Sequence, residues 1–430
     1  MKYTIPKGVF DILPFEPKEE DRWRNSDHWL YIEEVIRGVA ADYGFKEIRT
    51  PLFESTDLFV RGVGESSDIV TKEMYTFLDK ADRSLTLRPE GTASVMRAVV
   101  EKRLDQTPGP HKFYYIGPMF RYERPQAGRY RQHHQFGAEA LGIGQPEQDV
   151  EIIDMFYEFY RRLGIQGLTV MINSVGDEES RASFRHALAD YLKPHFDKLS
   201  EDSKVRFSKN TLRILDSKDP QDQQLLKEAP SLLNFLSAEA KEHFERVQIL
   251  LKKIGLPFVI NPKLVRGLDY YNKTVVEIVG THLGAQNTLG GGGRYDGLTA
   301  ALGGPHLPSV GFSTGLERLL QTMTGQNIAF PEPPHPFVFL IPLGEKSLDH
   351  CLTLLYQLRH AKIPAEIDIS GKKVQHGLQM ANVTKATYTV ILGDRELETQ
   401  EIELKEMASR QGENLRLGEL FETLKGRYNV

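Results

Sequence analysis

The chain has 430 residues, of which 40% are hydrophobic and 26% charged, and its formal net charge is −5. That length exceeds one ordinary core and predicts two or three domains. The charge excludes a uniformly polybasic nucleic-acid binder, leaving open a local basic groove on an acidic body.

The single cysteine, Cys351, excludes an internal disulfide and argues against a cysteine-built zinc site. The opening MKYTIPKGVFDILPFEP is broken by prolines and acids and has no apolar core of signal-peptide length. No later stretch approaches the apolar run of a membrane helix. The expectation is a cytoplasmic protein without a membrane partner.

In chain order, Ser26 to Tyr43 reads as a helix, because Trp29, Ile32, Val35, Ile36, Val39, Ala40 and Tyr43 fall at helical spacing and Gly44 stops it. FKEIRTPLFES reads as a strand at an edge, bulge or interface, since Pro51 lacks the N–H of a central ladder. SLTLRPEGTASVMRAVVEKRL runs from a strand through Pro89 into a helix. Phe113 to Glu123 alternates, with Tyr114, Ile116, Phe120 and Tyr122 on one face and Arg121 and Glu123 on the other. Gln126 to Tyr130 is a turn or loop around Gly128, and Arg131 to Leu141 is the returning strand of an antiparallel hairpin. His133, Gln135, Gly137 and Glu139 then share its polar face. Glu147 to Leu163 is a second helix with Ile152, Phe156, Phe159 and Leu163 on its apolar stripe.

From about 176 to 255 the composition turns charge-rich and helical, as in an insertion. Strand character returns in PFVINPKLVRGLDYYNKTVVEIVG, with Arg266 in a strand-like stretch. NTLGGGGRYDGL and a glycine-led helix, PSVGFSTGLERLLQTM, follow. Residues 326–336, which contain FPEPPHP, form the best linker. After it, strands and helices alternate to the end, predicting an α/β domain over 337–430.

No P-loop signature occurs, no H-E-x-x-H, and Gly290 to Gly293 do not satisfy G-x-G-x-x-G. Taken alone, the glycine run reads as a tight turn rather than a phosphate cradle. FRYERPQAGRYRQHHQFGAE, residues 120–139, holds four arginines with two carboxylates among them. Such a face suits a solvated surface, and equally a grip on polyphosphate by arginine and on an amine by carboxylate. Arg266 with Asp269 taken alone reads as a structural ion pair, and Tyr270 with Tyr271 as half-buried packing. Arg318 taken alone reads as one member of a surface Glu-Arg pair on an amphipathic helix.

Taken together and in this order, these segments resemble the histidyl-tRNA synthetase family of class II aminoacyl-tRNA synthetases. EIRTPLFE is similar to the first class II motif, FRYERPQAGRYRQHHQFGAE to the second and GFSTGLERLL to the third. LRPEGT, LVRGLDYYN and GGGRYDGL are similar to segments specific to the histidyl family, and the N-terminal PKGVFDILP also fits. The resemblance spans essentially the whole chain.

It implies an α+β fold: a class II catalytic core over 1–325, with an antiparallel sheet flanked by helices and a helical insertion, then a C-terminal α/β anticodon-binding domain. It implies ligation of L-histidine to tRNA(His) through a histidyl-adenylate, with ATP as substrate, Mg²⁺ as its companion, and a homodimer. Arg121 would hold the α-phosphate and the substrate carboxylate region, with Arg266 as the catalytic arginine beside it. Arg318 would meet the γ-phosphate and Glu123 the adenine. His133 stands where many members place a phenylalanine against adenine. Glu90, Gly91, Thr92 and Gln135 would receive the histidine α-ammonium end, and Glu139 and Tyr271 the imidazole, with Tyr270 lining the pocket. Arg124, Gln126 and Arg129 would meet the tRNA acceptor end. In the C-terminal domain, Lys372, Lys373 and Lys385 occur between Ser370 and Gly393 without an acid, which suits an anionic partner as well as simple solubility. The alternative is the synthetase-like regulatory subunit of ATP phosphoribosyltransferase, a histidine sensor. Those relatives lack the anticodon-binding domain, whereas this chain keeps Arg266, LDYY, Arg318 and about a hundred residues after the linker.

Overall fold

The computed structural model describes residues 3–428 except 66, 109–110, 124–128, 210, 218 and 281–287. Contacts divide the chain into two units, Met1–Phe330 and Pro331–Val430.

An eight-stranded sheet organises the first unit. Its strands run in the order Lys46–Glu47, His111–Phe120, Gln132–Leu141, Ser309–Gly315, Thr288–Arg294, Asn272–Gly280, Leu168–Ser174, Val259–Ile260. The inner strands pair antiparallel, and only the two-residue edge strands pair parallel. Alternation sends Phe136, Ala138, Ile278, Val310 and Phe312 to one face. There they meet the helices Ser26–Asp42, Pro146–Arg162, Ala238–Lys253 and Leu316–Gly325 in the main core. Trp29, Ile32, Ile36 and Val39 recur every three or four residues on the first of these helices, so one stripe is buried whole. Fully burying a side chain such as Ile32 or Phe156 stabilises by about 1.5–3 kcal/mol. The opposite face of the sheet carries helix Thr92–Glu101 and a smaller cluster around Val95, Met96, Tyr115 and Tyr295.

The structure departs from the sequence reading in several places. FKEIRTPLFES is two strands, not one. Lys46–Glu47 joins the large sheet, while Phe53–Ser55 joins a three-stranded sheet with Ser84–Leu87 and Tyr75–Leu78. Pro51, which has no N–H to give either ladder, lies in the break. The glycine run is no turn. It forms the strand Thr288–Arg294 inside the sheet, where a Cβ at Gly290 would stand 2.8 Å from the Phe156 ring. Arg266 lies in a loop before the strand Asn272–Gly280, not in a strand. The hairpin strand ends at Phe120, so Tyr122 leaves the core and is exposed, with the Arg131 guanidinium 4.0 Å over its ring. Helix Ala238–Lys253, within the charge-rich stretch, packs Phe244, Val247 and Leu251 into the main core. Before it, Phe184, Leu188, Leu192, Ile214 and Leu226 build a separate helical cluster.

The second unit has a five-stranded sheet ordered Ala365–Ile367, Val338–Pro342, Tyr388–Leu392, Glu401–Glu406, Gly412–Arg416. Its first three strands are parallel, as strand–helix alternation requires, and the last two add an antiparallel hairpin. Helices Glu345–His360 and Leu420–Tyr428 cover one face, and Val374–Val383 the other.

Candidate active site

Strand register places two rows side by side on the face away from the main core. One holds Tyr115, Gly137, Ser313, Gly291 and Glu277; the next holds Phe113, Glu139, Gly311, Gly293 and Val275. The glycines in these rows let large side chains lie flat on the sheet. A Cβ at Gly311 would stand 1.9 Å from Glu139 Oε2, and one at Gly291 would stand 2.5 Å from the Arg266 guanidinium carbon.

Glu139 is buried on this face, its carboxyl group surrounded by hydroxyl groups. Thr92 Oγ1 donates to its Oε1 at 2.7 Å, and the Tyr295 hydroxyl donates to its Oε2. Burial disfavours the charged form and pushes the Glu139 carboxyl up to about 8, against which these hydroxyl hydrogen bonds work. Beside it, Glu90 accepts from the backbone N–H groups of Thr92 at 2.7 Å and Ala93 at 2.8 Å, closing the first turn of helix Thr92–Glu101. Burial raises its carboxyl too, and those N–H groups oppose the rise. At Gly91 a Cβ would stand 2.3 Å from the Tyr115 ring, so only glycine lets the chain pass there. Tyr270 packs on Tyr271 at 4.7 Å between ring centroids and meets Tyr295 edge-on at 5.4 Å. Gln135 is buried, and its Oε1 has no hydrogen-bond partner among the described residues. A buried acceptor left open costs about 1–3 kcal/mol, which a ligand donor would recover.

A line of charge runs away from this cluster. Arg266 Nη1 meets Glu277 Oε2 at 2.7 Å; Glu277 Oε1 accepts from Thr288 Oγ1 at 2.6 Å; and Arg318 Nη1 donates to the Thr288 carbonyl at 2.6 Å. Two guanidinium groups, one from a loop and one from helix Leu316–Gly325, are thus fixed by one strand pair. Arg121 comes from the hairpin, where its Nε donates to the Pro89 carbonyl at 2.8 Å. His133 is half-buried; desolvation lowers its ring pKa to about 3, helped by the nearby Arg121 charge, and its imidazole is neutral at physiological pH. Glu123 pairs with Arg129 at 3.2 Å. Arg124 and Gln126 lie outside the described residues.

The structure therefore brings Glu90, Gly91, Thr92 and Glu139 into one buried cluster with Tyr115, Tyr295, Tyr270 and Tyr271, leaves Gln135 beside His133 four residues along the strand from Glu139, and sets Arg266 and Arg318 on one platform. Glu123 does not share a strand face with Arg121. Its backbone N–H turns back to the Arg121 carbonyl at 2.8 Å, because the ladder has already ended.

A family model described as "Histidyl-tRNA synthetase" matches residues 24–319, and one described as "Anticodon binding domain" matches residues 338–427. The chain belongs to the histidyl-tRNA synthetase family. It is 56% identical over 425 residues to a histidine–tRNA ligase of Protochlamydia amoebophila, covering 99% of this chain and 100% of that one. It is 47% identical to that of Bacillus licheniformis, with 99% of each chain covered. A crystal structure of apo histidyl-tRNA synthetase from S. aureus superposes with a TM-score of 0.83 at 36% identity, over 99% of this chain and 100% of the other. As a class II aminoacyl-tRNA synthetase of this family, the chain is a histidine–tRNA ligase. Among the described residues no helix is long and apolar enough to cross a membrane.

Sequence reasoning missed Tyr295, Tyr115 and Glu277. Tyr115 sits at an odd position of an alternating strand, opposite Gly137, and strict period-two bookkeeping places it on the polar face. Tyr295 directly follows the glycine strand, but reading that run as a turn hid its direction. Glu277 stands in the apolar stretch TVVEIVG, where a lone carboxylate in a central strand was the available signal.

Proposed function

We propose that the glycine-lined face of the large sheet performs both steps of histidine ligation. L-Histidine and ATP give histidyl-adenylate and pyrophosphate, and the adenylate then esterifies the terminal ribose of tRNA(His). The observation that carries this reading is the juxtaposition on one face of a buried carboxyl cluster and two platform-fixed arginines. In the first step the nucleophile is the substrate's own carboxylate, already ionised near pH 7, so no enzymic base is required. Two anions must meet in line at phosphorus, and preorganised cations can supply most of the acceleration. Arg121 and Arg266 serve the α-phosphate and Arg318 the γ-phosphate, while His133 offers a neutral ring to adenine near Glu123. Glu90, Thr92 and the open Gln135 Oε1 receive the α-ammonium.

Neutral imidazole presents one N–H and one bare nitrogen. Glu139 accepts from the first and the Tyr271 hydroxyl donates to the second. Such a site rejects analogues that leave its polar groups unpaired by roughly 10⁴ or more.

No group of three or more His, Cys, Asp or Glu that could hold a metal occurs among the described residues. Mg²⁺ would arrive on the ATP phosphates, keeping several of its own waters. Arg129, with Arg124 and Gln126, meets the acceptor end, and residues 338–427 read the anticodon. We place the protein in the cytoplasm as a homodimer, in keeping with its family. The histidine-sensor reading is disfavoured by the anticodon-binding match and by the retained Arg266 and Arg318. Exchange of labelled pyrophosphate into ATP, with each amino acid supplied in turn, tests the proposal. Exchange with histidine alone is expected; no histidine-dependent exchange, or a preference for another amino acid, would overturn it.

A further inference from the structure

The loop that carries Arg266 has no ladder of its own to hold it, yet its position decides where that guanidinium points. Two arginines from the helical insertion fasten it. Arg213 Nη2 donates to the Gly267 carbonyl at 2.8 Å and stands 3.2 Å from Asp269 Oδ1, with its Nε 3.3 Å from the same oxygen. Arg181 Nη1 donates to the Tyr271 carbonyl at 2.6 Å. The attachment is fixed on the other side as well: Asp269 N donates to the Val63 carbonyl at 3.4 Å, and a Cβ on Gly64 would stand 2.4 Å from Asp269 Oδ2. Arg181, Arg206 and Arg213 line a cavity of about 320 Å³ together with Arg266, Gly267 and Asp269. The insertion thus grips one end of the loop through Arg213 and the other through Arg181, with Arg266 next to the first grip.

We propose that Arg213 and Arg181 are positioning residues for adenylate formation: the insertion acts on the first, tRNA-independent step by clamping the loop of Arg266. The inference rests on the role given to Arg266 above. A bidentate guanidinium holds a carbonyl and a carboxylate in fixed relation, which an ammonium cannot reproduce. Arg213 touches the loop beside Arg266 and acts chiefly on kcat. Arg181 touches Tyr271, a pocket residue, and acts on the KM for histidine as well.

The test is histidine-dependent pyrophosphate exchange without tRNA for Arg213→Ala, Arg213→Lys, Arg266→Ala and the Arg213→Ala/Arg266→Ala pair. Because small misplacements of a reacting group can cost up to about 10²-fold, Arg213→Ala is expected to lower kcat by roughly 10-fold or more, with KM for histidine within about threefold. Arg213→Lys should recover part of the loss. In the Arg266→Ala background, removing Arg213 should cost little more, since both act through one guanidinium. An unchanged kcat in Arg213→Ala, or the same fold-loss in the Arg266→Ala background, would overturn the proposal. If Arg213→Ala fails to fold, Asp269→Asn weakens the same grip, is expected to give the same kcat loss, and overturns the proposal if it does not. Failure of Arg266→Ala to slow exchange would instead sink the role of Arg266 itself.

Discussion

Burial lifts the Glu139 carboxyl to about 8 from an ordinary 4.5, and this fixes a pH signature for a single residue. Between those values the folded, ligand-free chain keeps a proton that the unfolded chain has released. Stability therefore falls as pH rises through that window. Thermal unfolding of ligand-free protein between pH 5 and pH 8.5 should show a steeper decline in the native chain than in Glu139→Gln. Parallel profiles would mean that Glu139 is not the group that titrates. Glu139→Ala should mainly weaken histidine binding, read by calorimetry; unchanged affinity would remove Glu139 from the imidazole site. Arg266→Ala should slow adenylate formation by roughly 10²-fold or more, with a smaller loss of histidine affinity, as expected for a charge aimed at the transition state. Equal losses in both would make Arg266 a structural group.

At the level of elements, the glycine strand Thr288–Arg294 is the piece on which the site geometry turns. Gly290 serves the core beneath it and Gly291 the site above it, because alternate residues face opposite ways. Gly291→Ala puts a methyl against the Arg266 guanidinium, the far end of a flexible side chain that can shift. It should lower the rate of adenylate formation while the melting temperature changes little. Gly290→Val, against Phe156 and the Ser313 carbonyl, should destabilise by about 1–3 kcal/mol or more. Equal unfolding curves for the two variants would contradict this division of faces.

The same strand marks how far the sequence was legible. Helices Ser26–Asp42 and Pro146–Arg162 announce themselves by a long apolar stripe, the first also by Gly44 after its end, and the hairpin by alternation. Four glycines have no side chains to alternate, so period-two reading had nothing to work on. The partners that make them a strand, Glu277 and Ser313, come from distant segments. The loop of Arg266 was misread as strand for the related reason that its anchors, Arg181 and Arg213, lie far off in sequence. The proposed site residues came through resemblance; Tyr295 and Tyr115, which meet Glu139, and Glu277, which holds Arg266, became visible only through register.

Across the whole molecule, the two units each enclose their own apolar core, one around the eight-stranded sheet and one around Leu340, Leu355, Val390 and Leu404. The chemistry proposed for activation draws only on residues before Phe330. A chain ending at 330 should keep histidine-dependent pyrophosphate exchange and lose most charging of tRNA(His), because the segment matching the anticodon-binding family is gone. Full charging by the shortened chain would contradict the role given to residues 338–427.

The most direct measurement is a crystal structure of the protein with histidinol and ATP bound. The imidazole should sit against Glu139 and Tyr271, with the guanidinium groups of Arg121, Arg266 and Arg318 on the oxygens of one triphosphate. Histidinol bound elsewhere, or these three arginines turned toward different groups while ATP occupies another cleft, would contradict the account.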